Sequence, residues 1–172
     1  MNGANKKPRA AFLDRDGVLI VDSGYPHRPE DLVFIPGAAS AIRRLRHAGF
    51  RIVVITNQSG VARGLFSLAE MDAFHALMRG ALAAEGAEID ALYACPYLPD
   101  APVAEYSHPD HPDRKPNPGM ILRAIEELDL DPDRSILIGD KDSDMEAARR
   151  AGVTGAKFRG GDLYAFVAML AM

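Results

Sequence analysis

Ala10-Ala11-Phe12-Leu13-Asp14-Arg15-Asp16-Gly17-Val18 is a short apolar run that ends on two carboxylates and a glycine. A run of this length without polar alternation marks a strand buried on both faces, as in a parallel sheet covered by helices. Comparable runs recur at Ile52 to Ile55, Ala91 to Ala94, Ile136 to Ile138 and Ala156 to Phe158, giving five candidate strands. Helical patterns alternate with them. Ala38 to Ala48 places Ile42 and Leu45 on one face and stops at Gly49, while Ser67-Leu68-Ala69-Glu70 is a capping box opening a helix that ends at Gly86. Asn117 and Pro118 start a third helix with Ile121, Ile125 and Leu128 turned inward. Asp142, read as an N-cap, opens a fourth that ends before Gly152, and Asp162 to Ala171 makes a last one. The alternation predicts an α/β fold: a parallel sheet of five strands with helices on both faces. We expect one domain over residues 9 to 172 behind a flexible lead-in of residues 1 to 8.

At 172 residues and 48% hydrophobic, the chain has enough apolar material for one good core and is short for two. A formal charge of −4 gives no broad footprint for nucleic acid or an anionic membrane surface, so the expected partner is a small molecule and the expected state a monomer. Cys95 is the single cysteine, which excludes an internal disulfide framework. No apolar stretch is long enough to span a bilayer, and Met1 to Pro8 lack the apolar core of a secretion signal; the expected location is the cytoplasm.

Three polar strings fall at strand ends, where open α/β sheets bind ligands. They are Asp14-Arg15-Asp16, Thr56-Asn57-Gln58 and Gly139-Asp140-Lys141-Asp142-Ser143-Asp144, with Lys115-Pro116 as a fourth element. In a strand order of 3-2-1-4-5, the first and fourth strands are neighbours at the topological switch, which brings Asp14 and Asp140 together. Carboxylates supply a nucleophile and hold a hard cation, a hydroxyl and an amide bond phosphoryl oxygens, and a lysine neutralises their charge. Taken alone, an Asp-x-Asp pair after a strand is turn or capping chemistry. Four such strings in this order point to a phosphate-handling site.

With these motifs the chain resembles the haloacid dehalogenase (HAD) superfamily of aspartate-nucleophile phosphatases. Gly24-Tyr25-Pro26-His27, Thr56 through Gly64, and Arg114-Lys115-Pro116-Asn117-Pro118-Gly119-Met120 make it similar to the D-glycero-D-manno-heptose-1,7-bisphosphate 7-phosphatases within it. The resemblance covers roughly residues 9 to 158. It implies a Rossmann-like HAD fold in which Asp14 attacks phosphorus and Asp16 acts first as acid and then as base. It further implies Mg²⁺ held by Asp14, the Asp16 carbonyl and Asp140, with Asp144 bonding a metal water or orienting Lys115. Thr56, Asn57 and Lys115 then bind the transferring oxygens.

Arg63 and Arg114 are candidates for the second phosphate of a bisphosphate, since a guanidinium matches phosphate in bidentate fashion. His27 is read either as a substrate contact or as a structural hydrogen bond, and His47 and His75 as packed or solvated helix residues. Relatives carry a zinc loop of Cys-x-His and Cys-x-Cys pairs; the matching places here are Cys95, Tyr97, His111 and Asp113. One thiolate with one His and one Asp is not a closed structural site, even with His108 added, so structural zinc is not expected. Five prolines (Pro96, Pro99, Pro102, Pro109, Pro112) are the substitute we expect for ordering that loop.

Neither gap between motifs leaves room for a cap domain. The loops 17–31, 59–66 and 95–114 are therefore expected to shape an open pocket. Other readings are a histidinol-phosphate phosphatase, a broad sugar-phosphate phosphatase, a polynucleotide 3′-phosphatase and a non-catalytic phosphate-binding scaffold. The acidic balance weighs against a polynucleotide, and an Arg63 and Arg114 pair would repel cationic histidinol.

Overall fold

The computed structural model describes residues 6–171; most of the expected lead-in, residues 1–5, lies outside the described residues. Five strands form one parallel sheet in the order β3-β2-β1-β4-β5, with β1 at Arg9–Leu13, β2 at Phe50–Asn57, β3 at Ala91–Cys95, β4 at Ile136–Gly139 and β5 at Thr154–Lys157. This is the order that puts β1 beside β4. The helices are α1 (Ala38–His47), α2 (Leu68–Ala84), α3 (Gly119–Glu127), α4 (Asp142–Arg150) and α5 (Leu163–Met169).

Strand alternation sorts the core into two layers. Ala11 and Leu13 of β1 and Ile52 and Val54 of β2 face α1, α2 and α5, packing with Ile42, Leu45, Phe74, Met78 and Val167. Ala10 and Phe12, with Val53 and Ile55, face the other way onto Met120, Ile121, Ala124, Ala147 and Ala148 of α3 and α4. Both faces of the central strands are thus buried, which explains why those segments read as unbroken apolar runs.

Helix starts differ in their chemistry. Ser67 forms the expected capping box, its Oγ accepting from Glu70 N–H at 3.2 Å while Glu70 Oε2 accepts from Ser67 N–H at 2.7 Å. Asp142 does not cap α4: it is the first helical residue and its carboxylate pairs with Lys157. The free N–H of Lys141 is taken by Asp144 Oδ2 at 3.0 Å, so the next turn's carboxylate reaches back instead. Asn117 likewise does not open α3, because its side chain bonds Asp110 and the His111 carbonyl, and the helix begins after Pro118. β5 starts two residues ahead of the apolar run, since this half-exposed edge strand pairs through Thr154 and Gly155; Phe158 lies beyond its end, buried in the core.

Candidate active site

β1 and β4 deliver two carboxylates side by side. The Asp14 N–H donates to the Ile138 carbonyl at 3.0 Å, stitching the end of β1 to β4 two residues before Asp140. Gly17 follows with φ of 84°, in the left-handed region, and a Cβ there would collide with the Asp140 carboxylate. The glycine is required twice, by its conformation and by the close approach.

A buried lysine connects three elements. Lys115 Nζ donates to Asp14 Oδ1 at 2.9 Å and to the Ile55 carbonyl at 3.1 Å, and forms a charge pair with Asp144 Oδ1 at 2.7 Å. Lys115, Asp14 and Asp144 are all buried. Burial pushes the Asp14 carboxyl up, to about 7, against the pull of the Lys115 ammonium. For Lys115 itself burial favours the neutral amine, but the two carboxylates outweigh it and raise the pKa, keeping the ammonium charged. Asn57 holds the lysine's backbone from β2: its Nδ2 donates to the Lys115 carbonyl at 3.0 Å and its Oδ1 accepts from the Lys115 N–H at 3.1 Å. Both ends of this amide are engaged, so the side chain expected to bind phosphoryl oxygens is here a clamp on the loop.

Oxygens of Asp14, Asp140 and Asp144 lie within 4.8 Å of one another. The donor set fits a hard divalent cation. Asp140 Oδ1 is buried and has no hydrogen-bond partner, an arrangement costly for a carboxylate unless a cation answers it. Asp144 is already committed to Lys115 and to the Lys141 N–H, which leaves Asp14 and Asp140 as the carboxylates with lone pairs to offer. Among the described residues Arg15 pairs with Asp16, and Lys115 with both Asp14 and Asp144, while Asp140 has no ion pair, so its charge is the one a dication would answer.

Thr56 is buried on β2, its Oγ1 accepting from Gln58 Nε2 at 2.8 Å, and the same Gln58 amide donates to Asp16 Oδ2 at 3.2 Å. Asp16 is forked by Arg15 as well, Nε to Oδ1 at 2.8 Å and Nη2 to Oδ2 at 3.1 Å. Neither Gln58 nor Arg15 stood out in the sequence as more than a motif neighbour.

A cavity of about 480 Å³ opens above these groups, lined by Asp16, Asp22, Tyr25, Asn57, Arg114, Lys115 and Lys141 among others. No additional domain covers it among the described residues; loops do. Arg114 lines it, braced by a bond from Nη1 to the Tyr97 carbonyl at 3.1 Å. Arg63 does not line it: its guanidinium lies 5.8 Å above the Tyr25 ring. His27 is also turned aside, stacked on Phe66 at 4.6 Å with Nδ1 on the Tyr25 carbonyl at 2.7 Å, which is the structural one of its two readings. Lys141 and Asp22, facing each other at 3.8 Å across the mouth, are lining residues that carried no motif signal of their own.

The 95–114 loop is held by ring contacts. Tyr97 stacks flat on His111 at 3.9 Å and 6°, with Tyr106 and His108 edge-on to the Tyr97 ring. Cys95 is buried and its thiol is pushed up by that burial, so it behaves as a small apolar group. Its Sγ lies 4.0 Å from His111 Nδ1, an atom that already accepts from the Asp113 N–H.

A HAD-hydrolase-like family model matches residues 113–162, the stretch carrying Lys115, Asp140 and Asp144. The D-glycero-beta-D-manno-heptose-1,7-bisphosphate 7-phosphatase of Rhodopseudomonas palustris is 45% identical over 165 residues, covering 95% of this chain and 90% of that one. The chain belongs to the HAD-like hydrolases. A second HAD relative, the D-glycero-alpha-D-manno-heptose-1,7-bisphosphate 7-phosphatase of Burkholderia mallei, is 43% identical over 86% of this chain and 77% of its own. The crystal structure of the D,D-heptose 1,7-bisphosphate phosphatase from B. bronchiseptica, complexed with magnesium and phosphate, superposes with a TM-score of 0.78 at 35% identity, covering 95% of this chain and 88% of that one. With phosphatase relatives this similar over most of its length the protein is a phosphatase, and no helix among the described residues is long and apolar enough to cross a membrane.

Proposed function

We propose that the protein removes the 7-phosphate of D-glycero-D-manno-heptose 1,7-bisphosphate by way of an aspartyl-phosphate on Asp14. The observation that carries this is the buried Asp14–Lys115–Asp144 cluster beside the unpartnered Asp140, opening into a cavity that Arg114 lines. Both bonds on the Asp14 carboxylate, from Lys115 Nζ and from the Arg15 N–H, fall on Oδ1 and leave Oδ2 for phosphorus. In the first step Asp14 Oδ2 forms the new bond to phosphorus as the sugar oxygen departs, taking its proton from Asp16. In the second, Asp16 withdraws a proton from water, and the resulting oxygen displaces the carboxylate. Lys115 keeps its ammonium against the transferring oxygens, and Thr56 presents its hydroxyl to them from β2.

Asp14, Asp140 and the Asp16 backbone carbonyl would hold Mg²⁺, which supplies Lewis-acid neutralisation of the phosphoryl charge when bound. Asp144 serves Lys115 rather than the metal. Arg114, braced by Tyr97, is the residue we assign to the distal phosphate, where its planar guanidinium matches the anion bidentately.

The test is kcat/KM with Mg²⁺ for both anomers of the bisphosphate, beside histidinol phosphate, simple sugar monophosphates and a 3′-phosphorylated oligonucleotide. The expected result is a preference of about 100-fold or more for one bisphosphate anomer, about 2.7 kcal/mol of transition-state discrimination. A flat profile would leave a general phosphatase and remove the heptose assignment.

A further inference from the structure

Arg15 sits between the two catalytic carboxylates in the chain, and its side chain is 1% exposed, the largest among the fully buried ones. Such a group survives burial only when its donors are answered. Its Nε and Nη2 fork the two oxygens of Asp16, Nη2 also donates to the Pro26 carbonyl at 2.9 Å, and Nη1 meets His75 Nε2 at 2.9 Å. The Phe74 ring lies 5.0 Å from the guanidinium carbon. One planar group therefore joins the Asp16 carboxyl, the flap at residues 24–29 that carries Tyr25 into the cavity, and α2.

His75 has the properties of an acceptor. Burial, with Arg15 and Arg79 nearby, drives its pKa down to about 3, so the imidazole is neutral. A neutral ring can place a lone pair on Nε2 toward Arg15 with its proton on Nδ1. The imidazole then fixes the guanidinium from behind while Asp16 is fixed in front.

We infer that Arg15, oriented by His75, is a positioning residue that sets the plane of the Asp16 carboxyl for proton transfer and ties that carboxyl to the flap. The inference rests on the phosphatase reading above. A carboxyl with only Gln58 on one of its oxygens would be free to turn about its terminal torsion, which is broad by nature. Proton transfer demands hydrogen-bond reach to the leaving oxygen, so the loss falls on steps in which Asp16 moves a proton. An alkyl leaving group needs that proton. Nitrophenolate departs without it.

The experiment compares kcat/KM for heptose 1,7-bisphosphate, or the best alkyl phosphate the enzyme accepts, with that for p-nitrophenyl phosphate, in Arg15→Gln, Arg15→Lys, His75→Phe and His75→Gln. kcat/KM reports the first half-reaction alone, where the leaving group departs. Arg15→Gln should lower the alkyl value by about 30-fold or more, part of what a general acid supplies, and the aryl value by less than about threefold. Arg15→Lys, which cannot fork a carboxylate, should recover only part of the loss. His75→Phe should show the same selectivity at smaller size, and His75→Gln, which restores an acceptor, should return toward wild type.

Equal losses on the two substrates, or none, would overturn the inference. If Arg15→Gln fails to fold, the His75 pair decides by the same criterion, since His75 touches neither substrate nor metal ligands. Wild-type protein inactive on every phosphate ester would remove the phosphatase reading and this inference together, whereas an active wild type with unselective variants would remove the inference alone.

Discussion

Two charge clusters begin two residues apart on α4 and have little in common beyond their charges. Asp144 joins Lys115 and Asp14 in a group whose side chains are 1%, 3% and 6% exposed; Glu146 joins Arg149 and Arg150, which are 72% and 41% exposed. The outer group has the tighter geometry, with bidentate contacts at 2.7 Å and a Glu146 carboxyl pulled down to about 2 by its two arginine hydrogen bonds. It nevertheless sits in water, where screening and side-chain entropy cancel most of the attraction. The inner group has been stripped of water, so each member depends on the others. Distance between charges does not rank these clusters; the medium does.

Asp14→Asn should break the inner group most visibly, by removing the nucleophile: kcat is expected to fall by at least about 10³-fold in steady-state assays, as when other covalent nucleophiles are deleted. Retained activity would sink the assignment. Lys115→Met should be the largest stability change, about 3–5 kcal/mol in urea unfolding without divalent cation, because it leaves two buried carboxylates facing each other. Added Mg²⁺ should return part of that loss, and removal of Mg²⁺ by chelation from the wild type should abolish turnover reversibly.

His75 extends the comparison to acid. Its folded pKa near 3 lies below its unfolded value near 6.5, so between these pH values the unfolded chain binds the extra proton. Stability attributable to it is complete above pH 6.5 and falls as pH drops toward 3, by up to about 1.4 kcal/mol per pH unit. Urea titrations of wild type and His75→Gln should diverge across that window and run parallel above it. Glu146→Gln completes the series with the smallest effect, an unfolding midpoint indistinguishable from wild type at pH 7.

Much of this could be read from the chain before any coordinates. Each of the five apolar runs fell on a strand, with the ends one or two residues off everywhere but β1, and the switch-point argument placed Asp14 beside Asp140 with no further information. Arg15, Gln58 and the Tyr97–His111 stack were missed because their partners lie up to 60 residues away, and no local period records such pairings. A signal for His75 did exist: Met71, Phe74, His75, Met78 and Leu82 share the helical spacing of one buried face. A lone arginine at the end of a buried strand was a second signal, since buried cations require partners. Cap chemistry failed at Asp142 for a related reason, as its carboxylate is taken by Lys157 from β5, and the helix starts one residue earlier than the cap reading allows.

Asn57 illustrates how narrow the tolerance is at one position. Its amide behaves like a borrowed peptide group, lengthening the edge of β2 by one rung so that Lys115 is registered against the sheet as a strand residue would be. Asn57→Asp would present two acceptors and no donor, and Asn57→Leu neither. At that reach only an amide can spell both halves of the pairing, so this single side chain sets how far the buried lysine can drift from the carboxylate it serves.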